Sequence, residues 1–160
     1  MPMLRLIGRT QRGGVEDDTL PLTFECRQRS RQRVRLASGR EAALMLPRGG
    51  GLLRDGDLLA ADDGSLVRVL AAPEAVSTVR AAETLELVCA AYHLGNRHVP
   101  LQIGEGWLRY PHDPVLDAMV RGLGLNVTAE YAAFEPVPGA YSAGVHQAGL
   151  GHAHGHDHEH

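Results

Sequence analysis

From Met3 to Ala72 apolar and polar positions alternate in short runs: Leu4 with Leu6, Leu22 with Phe24, Val34 with Leu36, Leu44 with Leu46. Side chains two apart share one face of a strand, so each pair predicts a strand with one buried face. Gly13-Gly14, Ser38-Gly39, Gly49-Gly50-Gly51 and Asp55-Gly56 supply the breaks between them. The clearest hairpin joins Leu58-Leu59-Ala60 to Leu66-Val67-Arg68-Val69 through the turn Asp62-Asp63-Gly64-Ser65. Residues 1–73 therefore read as a small β domain.

The periodicity changes after Ala71-Ala72-Pro73. Val76 to Arg80 reads as a strand, and Glu83 to Leu94 as a helix with Leu85, Val88, Cys89 and Tyr92 on its apolar stripe, stopped at Gly95-Asn96. Val99 to Ile103 and Trp107 to Tyr110 read as strands about the turn Gly104-Glu105-Gly106. Asp113 followed by Pro114 is a helix start, with Val115, Leu116, Met119, Val120 and Leu123 as the buried face and Gly122 and Gly124 as the end. A strand over 126–134 closes the pattern. The order β-α-β-β-α-β over 74–136 predicts a ferredoxin-like unit, so the fold class is α+β. Residues 137–160 are rich in Gly, Ala and His without periodicity and predict a disordered tail.

Composition narrows the chemistry. With 160 residues, 44% hydrophobic and 22% charged, the chain fits one ordinary domain or two small ones. No apolar run approaches the ~20 residues of a membrane span, and Met1 to Arg5 lacks signal-peptide architecture, so no membrane partner and a cytoplasmic location are expected. A net charge of −3 argues against nucleic acid as an obligatory partner. Cys26 and Cys89 are far apart and neither belongs to a CxxC pair, which disfavours a disulfide framework or a thiolate zinc site. Every basic residue is arginine, so lysine Schiff-base chemistry and the P-loop phosphate grip are excluded. There is no Gly-x-Ser-x-Gly elbow either, and no enzyme is expected. Arg27, Arg29, Arg31, Arg33 and Arg35 recur at period two, which on one strand would put all five on one face. That face reads as a charged sheet edge protected from pairing, with docking of an acidic partner as the alternative.

The candidate chemistry is in the histidines. His152, His154, His156, His158 and His160 alternate with small or acidic residues and are preceded by His146. Neutral imidazole is a good ligand for nickel, zinc and copper, so this segment reads as a metal-binding tail. An expression tag is the other reading, though tags are usually uninterrupted histidine runs. Nearer the middle, His93 and His98 are five apart, about 140° around a helix, and do not chelate one ion from a regular helix. His98 follows the helix stop and can project from a loop. His112 lies just ahead of a helix start, where capping or metal ligation would suit it.

The segment Ala91-Tyr92-His93-Leu94-Gly95-Asn96-Arg97-His98-Val99-Pro100-Leu101-Gln102-Ile103, followed by Leu108-Arg109-Tyr110-Pro111-His112-Asp113, closely resembles the urease accessory protein UreE family of nickel metallochaperones. Leu22-Thr23-Phe24-Glu25 with Arg29-Ser30-Arg31, the Phe134-Glu135-Pro136 ending and the His-rich tail add to the likeness, which covers nearly the whole chain. The resemblance implies an N-terminal domain for protein contacts and a C-terminal domain that forms a homodimer. It implies that His98 meets its symmetry mate and binds Ni(II) as cargo, with Zn(II) or Cu(II) as alternatives in vitro. Some relatives carry a second histidine two residues after the one matching His112. Here that position is Pro114, which leaves His112 as a lone auxiliary ligand. The implied partners are a urease accessory GTPase and the apo-urease assembly complex. The competing expectation is a general nickel or zinc store acting through the tail.

Overall fold

The alternating residues form six short strands around one apolar face. The computed structural model describes residues 2–139, so residue 140 and everything after it, including all six tail histidines, lie outside the described residues. In chain order the first elements are β1 (Leu4–Arg9), β2 (Asp18–Leu22), a helical turn α1 (Phe24–Arg27), β3 (Arg31–Arg35), β4 (Glu41–Met45), β5 (Leu58–Ala61) and β6 (Leu66–Ala71). They make a mixed sheet ordered β2-β6-β5-β1-β4-β3. Leu4 and Leu6 are buried while Arg5 between them is exposed, and Ala42 and Leu44 are buried on the neighbouring β4. The expected hairpin is present, with Leu59 opposite Val67. Two pairings, β1 with β4 and β2 with β6, are parallel and join distant segments.

Two local expectations are corrected here. Leu22 and Phe24 do not share a strand, because Thr23 caps α1 by accepting from the Cys26 amide at 3.5 Å. Phe24 turns to meet Phe134 edge-on, with ring centroids 5.5 Å apart. The arginine stripe is broken for the same reason. Arg27 ends α1 and is buried, Arg29 pairs with Glu25 at 2.5 Å, and only Arg31, Arg33 and Arg35 lie exposed along β3. Recurrence of a charged residue carries no information about burial, so it could not separate a strand from a capped turn followed by one. β3 is an edge strand, where a row of charges blunts pairing with another sheet.

The remaining elements are β7 (Pro73–Arg80), α2 (Thr84–Asn96), β8 (Gln102–Gly104), β9 (Trp107–Pro111), α3 (Pro114–Gly122) and β10 (Asn126–Ala133). Their strands form a second, wholly antiparallel sheet ordered β10-β7-β9-β8. Leu87, Ala90 and Leu94 from α2, with Leu116 and Val120 from α3, pack on Val79, Leu108 and Tyr110 of the central strands, so both helices cover one face. α3 begins as its sequence indicates: Asp113 accepts from the amides of Val115 and Leu116, and Pro114 occupies the first turn. At the β8–β9 turn, a Cβ on Gly104 would lie 2.0 Å from the Trp107 ring, so only glycine allows the ring to lie over the backbone there.

The apolar stripe expected on α2 faces outward instead. Leu85 is 74% and Tyr92 66% exposed, and Val88 and Cys89 are exposed beside them. The helix carries two apolar stripes, and Leu87, Ala90 and Leu94 at i, i+3 and i+7 fit the sheet. On α3, Leu116 and Val120 are buried as expected, but Val115 and Leu123 are exposed, and the acidic Asp117 is buried. Val99 to Leu101 precede β8 rather than extend it.

The segment after β10 ties the two sheets together. The Arg27 guanidinium, 1% exposed, donates to the Leu22 carbonyl at 2.9 Å and to the Phe134 carbonyl, while its Nε has no partner among the described residues. Burial pulls its pKa below the ordinary arginine value. Nearby, Glu74 accepts from the Phe24 amide at 2.8 Å, Glu135 from the Asp55 amide at 2.7 Å, and the Pro136 carbonyl from Arg54 at 3.2 Å.

Candidate metal centre

His98 sits where helix α2 reverses direction. The Val99 amide donates to the Leu94 carbonyl at 3.3 Å and the His98 amide to the Gly95 carbonyl at 3.0 Å, the paired bonds of a Schellman ending. The position after the cap in that motif is left-handed and is usually glycine. Here it is His98, with φ of +56°, the one non-glycine residue with positive φ among those described. Holding a side chain in that region costs about 1 kcal/mol or more. The ring is exposed and lines a cavity of about 1020 Å³. The other walls come from 27–30 and 46–53 of the first sheet's loops, from 99–101, and from 136–139. A cation here also lies at the negative end of the α2 dipole.

His112 is held differently. It follows β9, its amide donates to the Ala75 carbonyl at 3.1 Å, and its side chain keeps 37% of its exposure. Its Nδ1 is 3.1 Å from Ser77 Oγ and 3.3 Å from Asp117 Oδ2. The other Asp117 oxygen accepts from the Tyr110 hydroxyl at 2.7 Å. Tyr110 is fully buried; burial first, and then its bond to the Asp117 carboxylate, push the phenol pKa well up, so it stays a neutral donor. Ser77 stands opposite Tyr110 in the strand register.

Because β8 and β9 run antiparallel, the loop carrying His98 into β8 and the loop carrying His112 out of β9 are at the same end of the sheet. His112 does not line the cavity that His98 lines. Among the described residues no three histidine, cysteine, aspartate or glutamate side chains converge on a point that could hold a metal. His93 is exposed and meets Tyr92 edge-on at 5.4 Å. His146, His152, His154, His156, His158 and His160 lie beyond the described residues.

A family profile described as "UreE urease accessory protein, N-terminal domain" matches residues 4–72, and one described as "UreE urease accessory protein, C-terminal domain" matches residues 74–160. The chain belongs to the UreE family. A urease accessory protein UreE from Alkalilimnicola ehrlichii is 60% identical over 139 residues, covering 87% of this chain and 85% of the relative. A Pseudomonas putida relative of the same name is 61% identical over 133 residues, 82% of this chain and 79% of its own. Another from Burkholderia vietnamiensis is 52% identical over 139 residues, 87% of this chain and 66% of its own. UreE proteins are urease accessory proteins rather than enzymes, which places this chain in urease maturation, with a mixed sheet in one domain and a second sheet with its helices in the other.

Sequence reasoning missed the groups around His112. Asp117 offered one signal, since it lies about 60° from Val120 on the core-facing side of an amphipathic helix, where an acid is out of place. Ser77 and Tyr110 gave none, because their relation to His112 exists only once β7, β9 and α3 are packed together.

Proposed function

We propose that this chain is a nickel chaperone that binds Ni(II) as cargo and delivers it to the urease maturation complex, comprising an accessory GTPase and apo-urease. The observation that carries the reading is the exposed His98, held in a strained left-handed conformation at the rim of an open cavity. Strain at an exposed imidazole is hard to account for by folding alone, since glycine there would be easier. One imidazole is too little for a nickel shell, and no three ligands converge within the described chain. The site is therefore completed across a homodimer by the second copy's histidine. The exposed Leu85, Val88 and Tyr92 of α2 supply apolar surface for such contacts. His112 is an auxiliary ligand, and His146, His152, His154, His156, His158 and His160 add capacity.

In this reading residues 1–73 form the protein-contact domain, 74–136 a ferredoxin-like domain that dimerises, and 137–160 the metal-binding tail of a cytoplasmic protein. Few, exposed imidazoles favour exchange over permanent retention. Imidazole prefers Cu(II) to Ni(II) in open competition and also takes Zn(II), so partner docking and metal supply give selectivity. Protonated imidazole does not bind, so loading falls as the pH drops to about 6.

Calorimetric nickel titration tests the proposal. His98→Ala is expected to abolish the tight phase and transfer to the accessory GTPase, whereas truncation after Ala140 lowers the number of ions bound and leaves the tight phase in place. If the tight phase survives His98→Ala and disappears with the tail, the protein is a store rather than a chaperone.

A further inference from the structure

A carboxylate is buried beneath His112 at a position where an amphipathic helix ordinarily places an apolar side chain. Asp117 is 2% exposed and sits beside Leu116 and Val120 on the core face of α3. Burying an ionised group costs several kcal/mol unless hydrogen bonds offset it, and apolar replacements of similar volume often fold as well or better. Packing alone therefore does not call for Asp117, Tyr110 and Ser77 at this place.

What the three groups determine is the position of a proton. An ionised carboxylate only accepts hydrogen bonds, so Asp117 Oδ2, within ion-pair distance of Nδ1 at 3.3 Å, favours hydrogen on that nitrogen. The Ser77 hydroxyl, 3.1 Å from the same nitrogen, rotates to accept as well. The Tyr110 hydroxyl satisfies the second carboxylate oxygen and keeps it from turning away. With hydrogen on Nδ1, the lone pair of His112 is on Nε2.

We propose that Asp117 is a positioning residue for a nickel ligand: its buried carboxylate, fixed by Tyr110 and assisted by Ser77, holds His112 in the Nδ1–H form and presents Nε2 as the donor atom. The inference rests on the reading of His112 as an auxiliary ligand and deepens it. A metal-ligating histidine whose other nitrogen donates to a carboxylate is more basic and better oriented than an unsupported one, and loss of such a partner weakens metal binding about 10- to 100-fold.

The test is nitrogen-resolved NMR of the full-length protein labelled at histidine, read on the alkaline side where the ring signals no longer change with pH. Wild type is expected to show His112 with hydrogen on Nδ1. Asp117→Asn keeps an oxygen for the Tyr110 hydroxyl but sets an amide NH₂ against Nδ1, so His112 is expected to switch to the Nε2–H form. A change in packing alone would not reverse the tautomer. Ni(II) added to the same samples is expected to broaden the His112 signals of wild type, and about tenfold or more Ni(II) is expected for equal broadening in Asp117→Asn, with His98 unchanged. An Nε2–H tautomer in wild type overturns the proposal without any variant having to fold. Equal nickel sensitivity of His112 in the two proteins overturns it as well. If wild-type His112 ignores Ni(II) while His98 responds, the positioning role fails and nickel carriage stands; if neither histidine responds, both readings fail.

Discussion

His98 and His112 stand at opposite ends of two helices and are presented by opposite means. His98 follows α2, and what is unusual about it is its backbone, left-handed where glycine is the ordinary choice. His112 precedes α3, and what is unusual about it is its side chain, one nitrogen of which is turned toward two buried polar groups. The first imidazole is placed by the turn that carries it, and the second by groups on β7 and α3. A fold can therefore store conformational free energy at one histidine and electrostatic free energy at another, and substitutions should tell the two apart.

The largest effect is expected on the His112 side. Tyr110→Phe removes the hydroxyl that donates to the buried Asp117 and leaves one carboxylate oxygen short of a partner. A hydrogen bond to a charged group contributes about 2 kcal/mol, so the variant should unfold at correspondingly lower urea while the nickel response proposed for His98 is unchanged. A drop in His98 affinity would mean that the two sites are coupled, and the comparison would have to be abandoned.

On the other side the sign reverses. His98→Gly relieves the left-handed strain and should be about 1 kcal/mol more stable than His98→Ala, although both lose the imidazole. Urea midpoints of the two variants check this. If alanine is the more stable, the backbone at His98 carries no stored strain.

The smallest effect concerns acid. Glu130 is held below the ordinary carboxylate range chiefly by the Thr78 hydroxyl, and Asp18 chiefly by the Ser38 hydroxyl. Because the folded pKa is the lower one, each stabilises the fold above its unfolded value of about 4, and the contribution disappears as pH falls through the folded value. Thermal unfolding from pH 8 to 3 should show this acid loss beginning only below about pH 4. The loss of nickel loading proposed above at higher pH would then occur in a folded protein, and an unfolding step that coincides with it would contradict that separation.

How far the sequence revealed these features depended on the range of the interactions behind them. The β5–β6 hairpin and the start of α3 were legible, because Asp62-Asp63-Gly64-Ser65 and Asp113-Pro114 decide their geometry within a few residues. The orientation of α2 was not, since both stripes of that helix are apolar and only the sheet chooses Leu87 and Leu94 over Leu85 and Tyr92. The break in the arginine series was hidden in the same way, because Arg27 turns inward toward the Phe134 carbonyl, 107 residues away. His98 could be placed in a loop after a helix, but its left-handed backbone depends on two hydrogen bonds, from the His98 and Val99 amides to the Gly95 and Leu94 carbonyls, that no residue type announces.

Arg27 has a consequence for how the two parts of the molecule can diverge. It bridges the sheets through backbone carbonyls at Leu22 and Phe134, and every amino acid supplies a carbonyl. The bond thus places no demand on which side chains occupy either position, beyond the ring contact between Phe24 and Phe134. A chimera that joins residues 1–72 of this chain to the second domain of a relative would keep this fastening so long as Arg27 and one aromatic contact were retained. The junction behaves as a standard fitting, which leaves the two domains free to be exchanged independently.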